Sequence, residues 1–278
     1  ISISASQTTI CAGTSVTFSS SVTGVSSVFS FQWKKNGVNI SGQTSSSYTT
    51  TTLANSDQIT CSFTTNYPCA SPSTVSSNTV TMVVNPVVTP SVAITATQTT
   101  ICTGNSVTFT ATATNGGTSP TYQWNKNGNA ITGATSATYT TGVLANGDVI
   151  SCSITGNAPC ATTSAANSNN ITINVSSTVV PAISIAAPQT TICNGSNLTL
   201  TATQTNGGSS PTYQWKKNNT NITGATSATY STTTAATGDS YSCVLTSSVS
   251  CAVPTTATSN AVVITVNPTV TPTVTINQ

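Results

Sequence analysis

Nine cysteines, three aspartates and five lysines carry nearly all the side-chain chemistry of this 278-residue chain. They are evenly phased. Cys11, Cys102 and Cys193 form one series, Cys61, Cys152 and Cys243 a second, and Cys69, Cys160 and Cys251 a third, each with a step of 91 (102−11 and 193−102). Lys35, Lys126 and Lys217 keep the same step, as do Asp57, Asp148 and Asp239. Hydrolytic chemistry needs a base beside its nucleophile. Here there is no His or Glu, and each repeat offers one Asp. A zinc site lacks its CxxC pair and its His, and a calcium cage lacks acids to draw on. No Gly-rich phosphate loop follows a strand. The residues therefore point to no catalytic site, no metal and no cofactor. What remains is cysteine chemistry, and cysteines phased this way fit disulfides in an oxidising compartment. Buried free thiols are the alternative.

The lysines and aspartates read as structural. Each Lys lies two residues past a tryptophan (Trp33, Trp124, Trp215), at the end of the strand that should approach the Asp. Ion pairs Lys35–Asp57, Lys126–Asp148 and Lys217–Asp239 are expected, worth ~0–1 kcal/mol each if exposed.

The elements that hold these residues repeat with them. TYQWNKNGNAITGATSATYTT at 121–141 returns as TYQWKKNNTNITGATSATYST at 212–232, and as SFQWKKNGVNISGQTSSSYTT at 30–50. A period of 91 with no net insertion suits a small domain rather than a solenoid unit. Three domains are expected, at 1–86, 87–177 and 178–268. Residues 269–278 repeat the opening strand, and read as the first strand of a fourth repeat or as a strand lent to a neighbour. Charged residues make up 3% of the chain, against about 25% in ordinary soluble domains. The net charge of +2 gives no field for nucleic acid or an anionic membrane. No apolar run approaches the roughly 18 residues of a membrane span.

Each repeat is rich in Thr, Val, Ile and Tyr, in short alternating runs broken by Gly, Asn, Pro and Ser. That predicts an all-β fold of seven or eight strands per repeat. In the first copy the strands are ISISAS, SVTFSSSV, FSFQWKK, VNI, SSYTTT, DQITCSFT and NTVTMVV, with a tight turn at Asn36-Gly37. Aromatics fall in columns shared with apolar residues, as core positions do, and Trp33, Trp124 and Trp215 lead them. Phe29 and Tyr67 alone lack apolar bulk of similar size in both other copies.

A Trp on the third strand and the late motifs DQITC (57–61), DVISC (148–152) and DSYSC (239–243) are immunoglobulin-like marks. With ICxG near the start of each copy and linkers of the NPxVTPxV type, the chain resembles the tandem Ig-like repeats of very large Bacteroidota surface proteins secreted by the type IX route. The resemblance implies three immunoglobulin-like β-sandwiches in an extended rod. It departs from antibody domains where the first core cysteine should stand, at Ser20, Ala111 and Ala202. The preferred pairing is then Cys11–Cys61, Cys102–Cys152 and Cys193–Cys243, 50 residues apart in each copy. The rival pairing joins the first and third cysteines of a repeat. The preferred pairing leaves Cys69, Cys160 and Cys251 over, unpaired or cross-linking to another domain or chain.

Two functions fit. One is an extracellular stalk or filament on a bacterial surface, supporting adhesion, with further copies of the repeat or chain joined head to tail. The other is a carbohydrate-binding module, with surface glycans as partners and the loops near 21–30 and 65–76 as the binding face.

Overall fold

A computed structural model of the chain describes residues 1–24, 29–67 and 69–275. Every named element is a strand. In the first repeat these are β1 (Ser2–Ala5), β2 (Thr9–Cys11), β3 (Val16–Ser21), β4 (Phe29–Lys35), β5 (Val38–Asn39), β6 (Ser47–Thr50), β7 (Gln58–Thr65), β8 (Thr74–Ser76), β9 (Val80–Thr81) and β10 (Val83–Asn85). β1, β3 and β6 form one antiparallel sheet. β5, β4, β7 and β8 form the second, with β9 also on β7. β2 leaves the first sheet and pairs in parallel with β10, Cys11 lying opposite Asn85. The same strand order recurs in the second and third repeats. Three sets of paired sheets, each with this order, make three tandem Ig-like domains.

The strands follow from alternation. On β7 the inward residues Ile59, Cys61 and Phe63 are buried, with less buried residues between them. Val16 and Phe18 do the same on β3. The β4–β5 turn needs two residues in the left-handed region. Asn36-Gly37 supplies φ values of 50° and 79°, and the third repeat does the same with Asn218-Asn219 at 52° and 67°.

The chain groups into two compact units, Ile1–Thr97 with Val107–Thr140 and Val149–Thr172, and Gln98–Ser106 with Thr141–Asp148 and Ile173–Gln278. The boundary passes through the second repeat. In the first unit, Trp33 packs with Phe18 and Tyr48 at ring separations of 6.1 and 6.0 Å. In the second, Trp215 lies 5.9 Å from Tyr230. The tail behaves differently from its equivalents. Residues 269–275 form no named strand, and Val270 and Val274 are 83% and 87% exposed. Ile276, expected on the same apolar face, lies outside the described residues.

Candidate functional site: the junction between repeats

Three groups of residues bear on function, and each repeats. The first is the Asp corner. Lys35 Nζ lies 2.7 Å from Asp57 Oδ2, and Lys217 Nζ lies 2.6 Å from Asp239 Oδ2. The carboxylate is buried and the ammonium about a third exposed, so the pair itself is weak. The Asp does more through neutral donors. Asp57 accepts from the Ala54 N–H at 2.9 Å and from Asn36 Nδ2 at 2.8 Å, and Asn36 Oδ1 accepts from the Gln58 N–H. The hairpin turn is thereby tied to the start of β7. In the second repeat Asp148 accepts from the Ala145 N–H at 2.8 Å, and Asn127 Oδ1 accepts from the Val149 N–H at the same distance.

Burial would raise the Asp57 carboxyl, but the Ala54 N–H, Lys35 and Asn36 outweigh it and hold it below its usual value. Asp239 is lowered in the same way by Lys217, the Ala236 N–H and Asn218. A carboxylate depressed in the folded state stabilises fully above its unfolded value of 3.8. That contribution is lost as pH falls through the folded value. The urea midpoint should therefore hold down to about pH 4 and fall below it. In Asp57→Asn/Asp239→Asn the stability should be lower at pH 7 by about 1–3 kcal/mol per repeat, with a flatter acid limb. An acid limb unchanged by both substitutions would assign the loss elsewhere.

The second group is a buried thiol beneath each tryptophan. Cys61 lies opposite Trp33 in strand register, Cys152 opposite Trp124 and Cys243 opposite Trp215. All six are buried, and all three tryptophans are 0% exposed. Each Trp Nε1 donates to a backbone carbonyl, of Ser45, Ser136 and Ser227. Burial pushes the Cys61 and Cys152 thiols up, and that of Cys243 to about 11.

The disulfides are not where the spacing placed them. Cys11 joins Cys160, and Cys102 joins Cys251, with Cα separations of 5.3 and 5.5 Å and a sequence separation of 149 in both. Each bond runs from one repeat to the next. Cys11–Cys61, Cys102–Cys152 and Cys193–Cys243 do not form, nor does the rival pairing within a repeat; Cys61, Cys69, Cys152, Cys193 and Cys243 are free. The reason is direction. The second cysteine of each repeat faces the inside of its sandwich. The first ends the short strand that runs to the linker, and the third stands in the loop after the long β7-type strand of the following repeat. Of the three cysteines expected to be left over, Cys160 and Cys251 are bonded to the preceding repeat and Cys69 is free and exposed.

The linker reinforces each bond. The Val88 N–H donates to the Cys160 carbonyl at 3.1 Å, and the Thr162 N–H donates to the Val88 carbonyl at 2.8 Å. At the next junction the Val179 N–H donates to the Cys251 carbonyl, and the Val253 N–H to the Val179 carbonyl, both at 2.9 Å. Val88 thus bridges Ala161 in parallel, and Val179 bridges Ala252. The linker prolines, Pro90 and Pro181, are buried. The cysteine loop is itself held from behind. The Asn157 N–H donates to the Gly116 carbonyl, and the Ser248 N–H to the Gly207 carbonyl, both at 2.9 Å. At Gly117, with φ +90°, a Cβ would meet the Ala158 nitrogen at 2.5 Å, so the close approach of the two loops needs glycine.

Two contacts go unnoticed in the sequence. Asn78 completes a bridge with β1, accepting from the Ile3 N–H at 2.8 Å and donating to its carbonyl at 3.1 Å. Asn169 does this with Ile94, and Asn260 with Ile185. The preceding serines, Ser77, Ser168 and Ser259, accept from the N–H of Cys61, Cys152 and Cys243. The phased Ser-Asn pair is the signal that could have found them.

The pairing predicts a thiol count. The unreduced single chain, before any assembly, should take up two equivalents of an alkylating reagent, at Cys69 and Cys193, and five after denaturation. The exposed pair should react and the buried three resist. More than five equivalents after denaturation would rule out the cross-repeat bonds. Among the described residues no cluster of three or more His, Cys, Asp or Glu could hold a metal, and no helix is long and apolar enough to cross a membrane.

A family described as a domain of unknown function (DUF8696) matches residues 182–268, the third repeat. No curated protein sequence matches the chain. Among solved structures, the chain is similar to three N-terminal domains of the bacteriophage RB49 highly immunogenic outer capsid protein (Hoc), at 14% identity and a TM-score of 0.37, over 96% of this chain and 98% of that one. It is similar to the mouse nectin-like molecule 4 ectodomain (Ig1–Ig3), at 12% identity and a TM-score of 0.36, over 97% and 99%. It is also similar to the N-terminal four Ig domains of Dscam1 isoform 4.44, at 13% identity and a TM-score of 0.31, over 96% and 73%.

Proposed function

We propose that the chain is a non-enzymatic, extracellular structural protein. In this reading it is a length of stalk or filament on a bacterial surface, built of cross-linked Ig-like repeats and supporting adhesion. The observation that carries the reading is the bond from each repeat to the next, made twice at equivalent positions. A protein whose repeats only tethered separate binding modules would gain little from covalent joints between them. A protein that transmits load gains from every one. Disulfides support placement outside the cytosol, and the ICxG, DxxxC and NPxVTPxV resemblance supports a Bacteroidota origin with type IX export. Five lysines and no arginine leave few trypsin sites, and a charge content of 3% leaves little for salt to screen. The partners are further copies of the repeat. Electron microscopy of material from the native source tests this. Long fibres of uniform width labelled by an antibody to the chain are expected, and single isolated molecules would overturn it.

One observation favours the carbohydrate-binding reading. Phe29 and Tyr67 are 46% and 52% exposed at one end of the first repeat, where an aromatic platform for sugar could stand. A glycan array separates the readings. Binding abolished by Phe29→Ala and Tyr67→Ala would favour recognition, and none would leave the structural reading alone.

A further inference from the structure

The two junctions define a rule, and among the described residues the rule leaves two cysteines without a partner. The first-series cysteine of a repeat bonds the third-series cysteine of the next. Cys193 is the first-series cysteine of the third repeat, and Cys69 is the third-series cysteine of the first. Both are free and exposed. The linker points the same way independently. Val88 and Val179 are half-buried against the following repeat, and Pro90 and Pro181 are buried. Their equivalent Val270 is 83% exposed, and Pro272 is exposed with it. Val274 is 87% exposed, whereas its equivalent Val92 is buried. On the other side, Ala161 and Ala252 receive a linker valine. Their equivalent, Ala70, lies beside Cys69, with exposed Tyr67 and Phe29 at the same end of the sheet.

We propose that Cys193 of one copy forms a disulfide with Cys69 of a second copy of this chain, with Val270 of the first docked beside Ala70 of the second. The surface is a heterologous one, so the contact propagates head to tail. The two internal junctions are its template, and a second copy presents Cys69 and Ala70 in the order in which Cys160–Ala161 and Cys251–Ala252 receive their partners. The chemistry is thiol–disulfide exchange with a low-molecular-weight disulfide as oxidant. The Cys193 thiolate attacks that disulfide and expels one thiolate. The Cys69 thiolate then attacks the mixed disulfide at the Cys193 sulfur and expels the second. The new S–S bond forms, the two cysteines lose two protons and two electrons, and the small disulfide is reduced to two thiols. The proposal rests on the structural reading above and names its covalent joint.

The test is directional. Cys69→Ser keeps only Cys193 as an exposed thiol, and Cys193→Ser keeps only Cys69. In a buffer of reduced and oxidised glutathione, each variant alone should stay monomeric on a non-reducing gel. Mixed, they should yield one dimer, with a Cys69–Cys193 peptide by mass spectrometry. The unsubstituted chain should give a ladder in steps of 27.9 kDa. Val270→Asp, with all thiols intact, should slow ladder formation by about tenfold, because it charges the docking residue and leaves the chemistry alone. Homodimers of Cys69→Ser or Cys193→Ser forming as readily as the mixed dimer would overturn the proposal, as would an absence of mixed dimer. Electron microscopy of the Cys69→Ser/Cys193→Ser chain separates the two readings. Fibres formed without the bond keep the filament and discard the joint; a mixed dimer with no fibres from the unsubstituted chain keeps the joint and discards the filament.

Discussion

Pulled by its two ends with its disulfides intact, the unfolded chain should extend to about 350 Å, against about 1000 Å once reduced, taking up to ~3.6 Å per residue. The shortest covalent path explains the gap. It runs from Ile1 to Cys11, crosses to Cys160, returns down the chain to Cys102, crosses to Cys251 and continues to Gln278. Those stretches hold 11, 59 and 28 residues, 98 of the 278. The remaining 180 never bear load. Each single substitution makes a sharper case. Cys11→Ser leaves a path of residues 1–102 and 251–278, and Cys102→Ser one of 1–11 and 160–278; both hold 130 residues. The two variants should therefore stop at the same length, about 470 Å. Single-molecule force spectroscopy reads all three lengths. An oxidised chain that stretches to the reduced length would show that the repeats are joined by the linker alone.

The same bonds oppose unfolding without force. Each closes a loop of 149 residues. In the chain-entropy account a loop that long removes up to about 5 kcal/mol from the unfolded state. Reduction should thus loosen each junction before it unfolds a sandwich, since no bond lies within one.

Much of the fold is legible in the sequence. The alternation on DQITCSFT and SVTFSS marks inward faces because a strand has a period of two. Asn-Gly after the tryptophan strand marks its turn because few other residues accept positive φ. The cysteine partners are not legible, for a reason of symmetry. In a chain of perfect period 91, a separation found from one copy recurs from the next. The 50 residues between Cys11 and Cys61 recur, and so do the 149 between Cys11 and Cys160. Recurrence cannot choose between them. What chooses is the side of the strand and the end of the sandwich. Cys61 sits two residues from Ile59 and two from Phe63 on the inner face, while Cys11 and Cys160 stand where strand meets loop. The Asn78 bridge escapes notice because an amide side chain that imitates backbone leaves no mark in a hydrophobic pattern.

Trp33→Ala should cost its repeat about 3–5 kcal/mol, the range for large core side chains cut to Ala. Trp33 is fully buried between the sheets, within 6.1 Å of the Phe18 ring and 6.0 Å of Tyr48, and directly opposite Cys61 in register. Its removal opens a cavity and also leaves the Ser45 carbonyl without the indole donor that reaches it at 2.8 Å. A domain of this size has only about 5–15 kcal/mol in all, so the first repeat of the variant sits near its unfolding threshold. The neighbouring repeats supply the control. Trp124 and Trp215 have their own aromatic partners, Tyr139 at 6.0 Å and Tyr230 at 5.9 Å. Urea unfolding followed by far-ultraviolet circular dichroism should therefore split, with one early transition and two at the original position. Alkylation during the early transition should label Cys61, which burial protects in the intact fold, and leave Cys152 and Cys243 unlabelled. Loss of protection at all three thiols together would mean that the cross-repeat bonds make the chain one cooperative body. A urea midpoint unmoved by the substitution would mean that Trp33 does not hold the core.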